Sequence, residues 1–159
     1  GKSFGSEKLL AAIRAAVEQY PVDARSICFE VTETAAIANL STAVEFMRQL
    51  RAMGFCFALD DFGSGLSSFA YLKNLPVDYL KIDGSFVKDM VDDPIDRAMV
   101  RAINEIGHTM GIQTIAEFVE NAETLAYLEE IGVDFAQGYF IDRPQPLDLI
   151  FPSLAIGQV

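Results

Sequence analysis

The chain has 159 residues, about half of them hydrophobic (51%) and 22% charged, with a formal net charge of −11. That composition supports a packed core rather than disorder, and the acidic balance argues against nucleic-acid polymers and anionic membrane as partners. Two cysteines and a single histidine rule out a disulfide scaffold and histidine-rich metal sites. In chain order, Ser6 to Tyr20 has helical periodicity and Pro21 stops it. An apolar run, Ser26-Ile27-Cys28-Phe29, ends on Glu30, and Thr34 to Met53 follows as a long amphipathic helix closed by Gly54. Phe55 to Leu59 is a strand that ends on Asp60-Asp61-Phe62-Gly63-Ser64-Gly65, and Ser67 to Leu75 is a short helix before Pro76. Val77 to Asp83 carries Lys81 near its end, and Pro94 to Met110 is the longest helix. Ile112 to Ala116 leads to Glu117, Asn121 to Ile131 is a helix capped by Gly132, and Val133 to Ala136 leads to Gln137.

The adjacent aspartates carry the most information. Neighbouring strand residues point to opposite faces, so Asp60 and Asp61 can serve one site only where the strand stops and the backbone turns. Two carboxylates that close resist joint ionisation; a divalent cation bound through oxygen is the usual remedy. Taken alone, an Asp-Asp-x-Gly segment is more often a solvated turn. The other strand ends change that balance. Glu30, Asp60, Lys81, Glu117 and Gln137 lie 20 to 36 residues apart, the spacing of successive strand-loop-helix units. Such units build a parallel sheet covered by helices, and in a barrel every strand delivers its C-terminal residue to one mouth. The expected fold class is therefore α/β, a TIM-like (β/α) barrel of which about five of eight β-α units are present.

Strand alternation refines this expectation. Cys28 and Glu30, Cys56, Ala58 and Asp60, Tyr79 and Lys81, Ile115 and Glu117, and Phe135 and Gln137 share parity and should point into the barrel. Ile27, Phe29, Phe57, Leu59, Leu80 and Ile82 should then face the helices. The two cysteines, in separate strands, read as core residues of a reducing compartment. Asp83 has the parity of Lys81 and is either that lysine's partner at the rim or a helix-entry acid before Ser85. His108, in the last turn of the long helix, suits the helix dipole and reads as structural. The Gly63-Ser64-Gly65 turn is too short for a phosphate-binding P-loop and lacks its lysine.

Five runs carry a family resemblance: Phe29-Glu30-Val31-Thr32-Glu33, Leu59-Asp60-Asp61-Phe62-Gly63-Ser64-Gly65-Leu66-Ser67-Ser68, Leu75-Pro76-Val77-Asp78-Tyr79-Leu80-Lys81-Ile82-Asp83, Ile115-Ala116-Glu117-Phe118-Val119-Glu120 and Ala136-Gln137-Gly138-Tyr139. In this order they resemble EAL domains, bacterial phosphodiesterases that open cyclic di-GMP to linear pGpG, and the likeness runs from about Gly1 to Pro144. The Glu-Ala-Leu signature and the Asn-Leu-Ser strand end that follows it in the family are absent. Asn39-Leu40-Ser41 has the same letters but lies in a helical stretch. Residues 1–159 are thus expected to be the C-terminal portion of a single EAL-type barrel domain, with catalysis impaired in the isolated piece. Phe118 stands where the family usually has glycine, and Leu66 where it commonly has tyrosine.

The resemblance implies a two-metal site for Mg²⁺ or Mn²⁺. Glu30 and Asp60 would hold the first ion, with Asp60 bridging to a second held by Asp61. Lys81 would hold the attacking water and balance developing charge, Glu117 would be the general base or orient that water, and Gln137 would hydrogen-bond the substrate or a water on the metal; Asp83 belongs to the same group. Glu33 resembles the family's glutamate that anchors the loop after Asp61, a loop that also often carries a homodimer contact. The implied partners are cyclic di-GMP and, upstream, sensory or GGDEF-type domains. No signal-peptide pattern or apolar run of spanning length occurs in the chain, so a cytoplasmic location is expected, with any membrane anchor lying upstream. Two other readings stay open: a receptor that binds cyclic di-GMP without cutting it, and, ranked last, a barrel aldolase using Lys81 as a Schiff base, which leaves Asp60-Asp61 unexplained.

Overall fold

The structure, a computed structural model, describes residues 7–20, 22–63 and 69–146. Five strands form one sheet: β1 (Cys28–Thr32), β2 (Cys56–Phe62), β3 (Tyr79–Ile82), β4 (Gln113–Ala116) and β5 (Phe135–Ala136). All neighbours are parallel and the order is β1-β2-β3-β4-β5. Right-handed crossovers that always step the same way put every helix on the same side of the sheet. A doubly wound sheet would reverse direction part-way, so this order is that of a barrel wall.

The helices are α1 (Glu7–Gln19), α2 (Glu33–Ala38), α3 (Leu40–Arg51), α4 (Gly84–Asp89), α5 (Pro94–Thr109) and α6 (Ala122–Glu130). Phe57, Leu59, Leu80 and Ile82 point to their side and are fully buried, with Met47 and Leu50 of α3 and Ile103 of α5 against them. This is the parity expected from alternation. On the other face Cys28 is exposed, Cys56, Tyr79 and Ile115 are half-buried, and Phe135 stacks edge-on against Tyr79 with ring centroids 5.9 Å apart. The cysteines are therefore not core residues as expected. They sit opposite each other in register, on a sheet face that no described helix covers.

Three local expectations change. The helix expected over 34–53 is two helices, broken at Asn39 (φ −150°, ψ 71°), whose side-chain oxygen accepts from Thr42 Oγ1 at 2.9 Å and from the Thr42 amide. Asparagine competes with the helix backbone for such bonds and is favoured as a cap. The short helix expected over 67–75 is 3₁₀ over Phe69–Asn74, and residues 67 and 68 lie outside the described set. The rim-partner reading of Asp83 gives way to the helix-entry one: α4 starts directly after β3, and Asp83 caps it by accepting from Ser85 N at 2.7 Å. The expectation for α5 holds: Asp93 caps it, accepting from Ile95 N at 2.7 Å, and Pro94 stands where a missing N–H does no harm.

Candidate active site

β2 extends through both aspartates, further than apolarity alone suggested. The turn expected of an aspartate pair is nonetheless there. The register against β3 shifts between Leu59 and Phe62, and Asp61 has φ 55°. This bulge breaks the alternation and lets two adjacent carboxylates serve one site. The carboxylate oxygens of Asp60, Asp61 and Glu117 come within 4.8 Å of one another.

Lys81, from the end of β3, stands at the centre. Its side chain is only 4% exposed, and Nζ lies 2.7 Å from Asp60, 2.9 Å from Glu117 and 3.1 Å from Glu30. β1, β2, β3 and the residue just after β4 thus each contribute to a single ion-pair cluster. Burial alone would lower the lysine pKa, but the close carboxylates of Asp60, Glu117 and Glu30 carry it above its ordinary value, so it stays charged. Glu117 is pushed up by burial and by Asp60 and Asp61, against the pull of Lys81. Asp61 is pushed up by burial and by its neighbours Asp60 and Asp83. Four carboxylates around one ammonium leave a strong negative excess that favours a cation.

A divalent ion fits this donor set. The ligands are hard carboxylate oxygens on separate strands, and Asp60 Oδ1 is buried with no directed hydrogen bond despite its ion contact with Lys81. Asp60, Asp61 and Glu117 are the group placed to hold such an ion, with Glu30 joined to them through Lys81.

The remaining candidates divide. Glu33, 4% exposed, accepts from Gly63 N at 3.2 Å and from Tyr71 Oη at 2.5 Å, so it ties together both flanks of residues 64–68. Tyr71 was not anticipated as its partner, and nothing in the local sequence marks it. Asp83 takes the helix-entry alternative; the acids paired with Lys81 are Asp60, Glu117 and Glu30. Gln137 is fixed through its backbone, its N–H donating to Ala116 O at 2.8 Å and its carbonyl accepting from Val119 N at 3.1 Å. With Glu117, Phe118, Glu120, Gly138 and Tyr139 it lines a cavity of about 210 Å³ beside the cluster. A more open cleft of about 670 Å³ between α1 and α3 holds no comparable cluster. His108 is structural as expected: Nε2 lies 2.8 Å from Asp134, which also accepts from Thr114 N at 2.8 Å.

Residues 1–144 match the family model described as EAL domain. The chain belongs to the EAL domain family. It is 50% identical over 147 residues to cyclic di-GMP phosphodiesterase PdeB of Shewanella oneidensis, covering 92% of this chain and 17% of that protein. It is 37% identical over 145 residues to cyclic di-GMP phosphodiesterase PdeA of Borreliella burgdorferi, covering 91% of this chain and 22% of that protein. This EAL chain therefore spans about a fifth of the length of the curated relatives it matches. Among solved structures it superposes on the PaMucR phosphodiesterase complexed with c-di-GMP at TM-score 0.87 and 34% identity, covering 92% of this chain and 60% of that one. It also superposes on the FimX EAL domain of Pseudomonas aeruginosa bound to c-di-GMP at TM-score 0.85 and 29% identity, covering 91% and 59%. The five-stranded wall is part of that TIM-like fold.

Proposed function

We propose that this chain carries the catalytic carboxylates and lysine of a phosphodiesterase that hydrolyses cyclic di-GMP to pGpG. The observation that carries the reading is the convergence of Glu30, Asp60 and Glu117 on the buried Lys81 ammonium, with Asp61 turned toward the same place. The names of PdeB and PdeA support the substrate. In this reading Glu30, Asp60 and Asp61 would hold the Mg²⁺ or Mn²⁺ ions, and Glu117, which closes the same acidic group, is kept for the proton. Bound there, such ions supply the positive charge that a phosphodiester needs at its non-bridging oxygens and lower the pKa of water.

The chain's own residues supply the rest. Glu117, its pKa raised, accepts a proton from water as its oxygen attacks phosphorus. Opening to pGpG leaves the phosphate on the 5′ oxygen, so the bond to O3′ breaks and O3′ takes up a proton. Lys81, always charged, orients that water and balances the charge that builds on the phosphoryl group. Gln137 hydrogen-bonds the substrate from the cavity wall. Glu33 anchors the loop after Asp61, which would also carry a homodimer contact. The proposal places residues 1–159 in one (β/α) barrel domain of a cytoplasmic signalling protein with sensory or GGDEF-type domains upstream. No described helix is long and apolar enough to cross a membrane.

The test is turnover of cyclic di-GMP by the full-length protein with Mg²⁺ or Mn²⁺. Formation of pGpG, abolished in Glu117→Gln, supports the reading. Binding without turnover would make the protein a cyclic di-GMP receptor, and absence of both would leave only the fold.

A further inference from the structure

Phe118 follows Glu117 directly and has φ 55°, a conformation that bulky L-residues avoid. Its side chain does not compensate by burial in the core, since the residue is 58% exposed. Strain of this kind persists only where the surroundings impose it. Gly84 is the neighbour concerned. A β-carbon built on it would collide with the Cδ2 edge of the Phe118 ring, 2.6 Å from Cγ and 2.9 Å from Cε2. The ring edge thus packs directly against the Gly84 backbone, a seat that exists only because residue 84 has no side chain.

The position of this contact matters. The β3–β4 ladder ends at Ile82↔Ala116, and both residues central to the proposed chemistry sit at that end, Lys81 within β3 and Glu117 just beyond β4. On the β5 side the turn at 117–119 is held by Val119 N donating to Gln137 O at 3.1 Å and Phe140 N donating to Val119 O at 3.0 Å. On the β3 side the turn is tied by the end of the ladder, by the 2.9 Å ion pair between Glu117 and Lys81 and by the Phe118 ring on Gly84.

We infer that Phe118 is a positioning residue: its ring, seated on Gly84, clamps the turn after β4 to the turn after β3 and so sets Glu117 against Lys81. The role rests on the proposed function, since it assumes that Glu117 and Lys81 do the chemistry. Residues 84 and 118 then form a matched pair, in which a side chain at one position requires none at the other.

A double-mutant cycle of Gly84→Ala and Phe118→Gly in the full-length protein tests this, read by kcat, KM and Tm. With Phe118 present, Gly84→Ala should lower Tm and reduce kcat about tenfold to a hundredfold, as expected when a catalytic group is displaced by a fraction of an ångström or more, with KM changed little. In the Phe118→Gly background the same substitution should leave kcat unchanged and raise Tm, because alanine is the better helix former at the start of α4. Phe118→Tyr, which keeps the ring, should keep the parent kcat, whereas Phe118→Gly should lose it without a matching rise in KM. Equal effects of Gly84→Ala in both backgrounds would overturn the clamp. Coupling in Tm with kcat unmoved would overturn the positioning role. A parent protein with no turnover would instead overturn the functional reading and the positioning role with it, and Tm would still report whether ring and glycine are coupled.

Discussion

Asp61 holds a left-handed φ of 55°, a conformation that costs a non-glycine residue. Asp61→Gly removes that backbone strain. The expected result is a protein about 1 kcal/mol more stable in urea denaturation that has lost the proposed turnover of cyclic di-GMP. Lys81 presents the opposite balance. It is nearly inaccessible and surrounded by three carboxylates, so Lys81→Met should destabilise by about 3 kcal/mol in metal-free buffer, the usual result of leaving buried charges without their partner. Added Mg²⁺ should recover part of that loss, and denaturation with and without the ion measures it.

At the scale of elements, the loops are fixed by acids that reach across strands. Asp134, at the entry to β5, accepts from Thr114 of β4 and pairs with His108 of α5. Burial would raise its pKa, but the hydrogen bonds from Thr114 and His108 hold it below the ordinary carboxylate value. A group whose folded pKa is depressed contributes stability that is fully present above the unfolded value, about 3.9 for aspartate, and is lost as pH falls through the folded value. Asp134→Asn should therefore lower stability at neutral pH and narrow the difference from the parent progressively below about pH 4, as read by urea midpoints across pH. The break between α2 and α3 depends on the Asn39 cap, and Asn39→Ala should cost about 1 kcal/mol in the same measurement.

For the whole molecule, a cation that binds only the folded carboxylate cluster must stabilise it by mass action. Saturating Mn²⁺ at a hundred times its Kd should add about 2.7 kcal/mol, seen as a rise in Tm that chelation reverses. Asp60→Asn should abolish the rise, since Asp60 is common to the acidic group and the Lys81 cluster.

Most of the fold and the types of site residue were legible in the chain itself, for a local reason. Strand parity puts Phe57, Leu59, Leu80 and Ile82 on one face and Asp60 and Lys81 on the other whatever the tertiary context, because the side-chain period of a strand is two. An apolar run ending on a charge marks the strand but not its last residue: β1 runs two residues past Glu30 and β2 two past Asp60. What needed the tertiary structure was every choice among partners far apart in sequence. Lys81 pairs with Glu30, 51 residues away, and with Asp60 and Glu117, while Asp83, two residues away, caps a helix instead. Tyr71 meets Glu33 across 38 residues, and Phe118 finds its seat on Gly84. Propensity and periodicity act over a few residues, but an ion pair or a ring contact depends on where two strand ends meet in space, and that only the folded sheet decides.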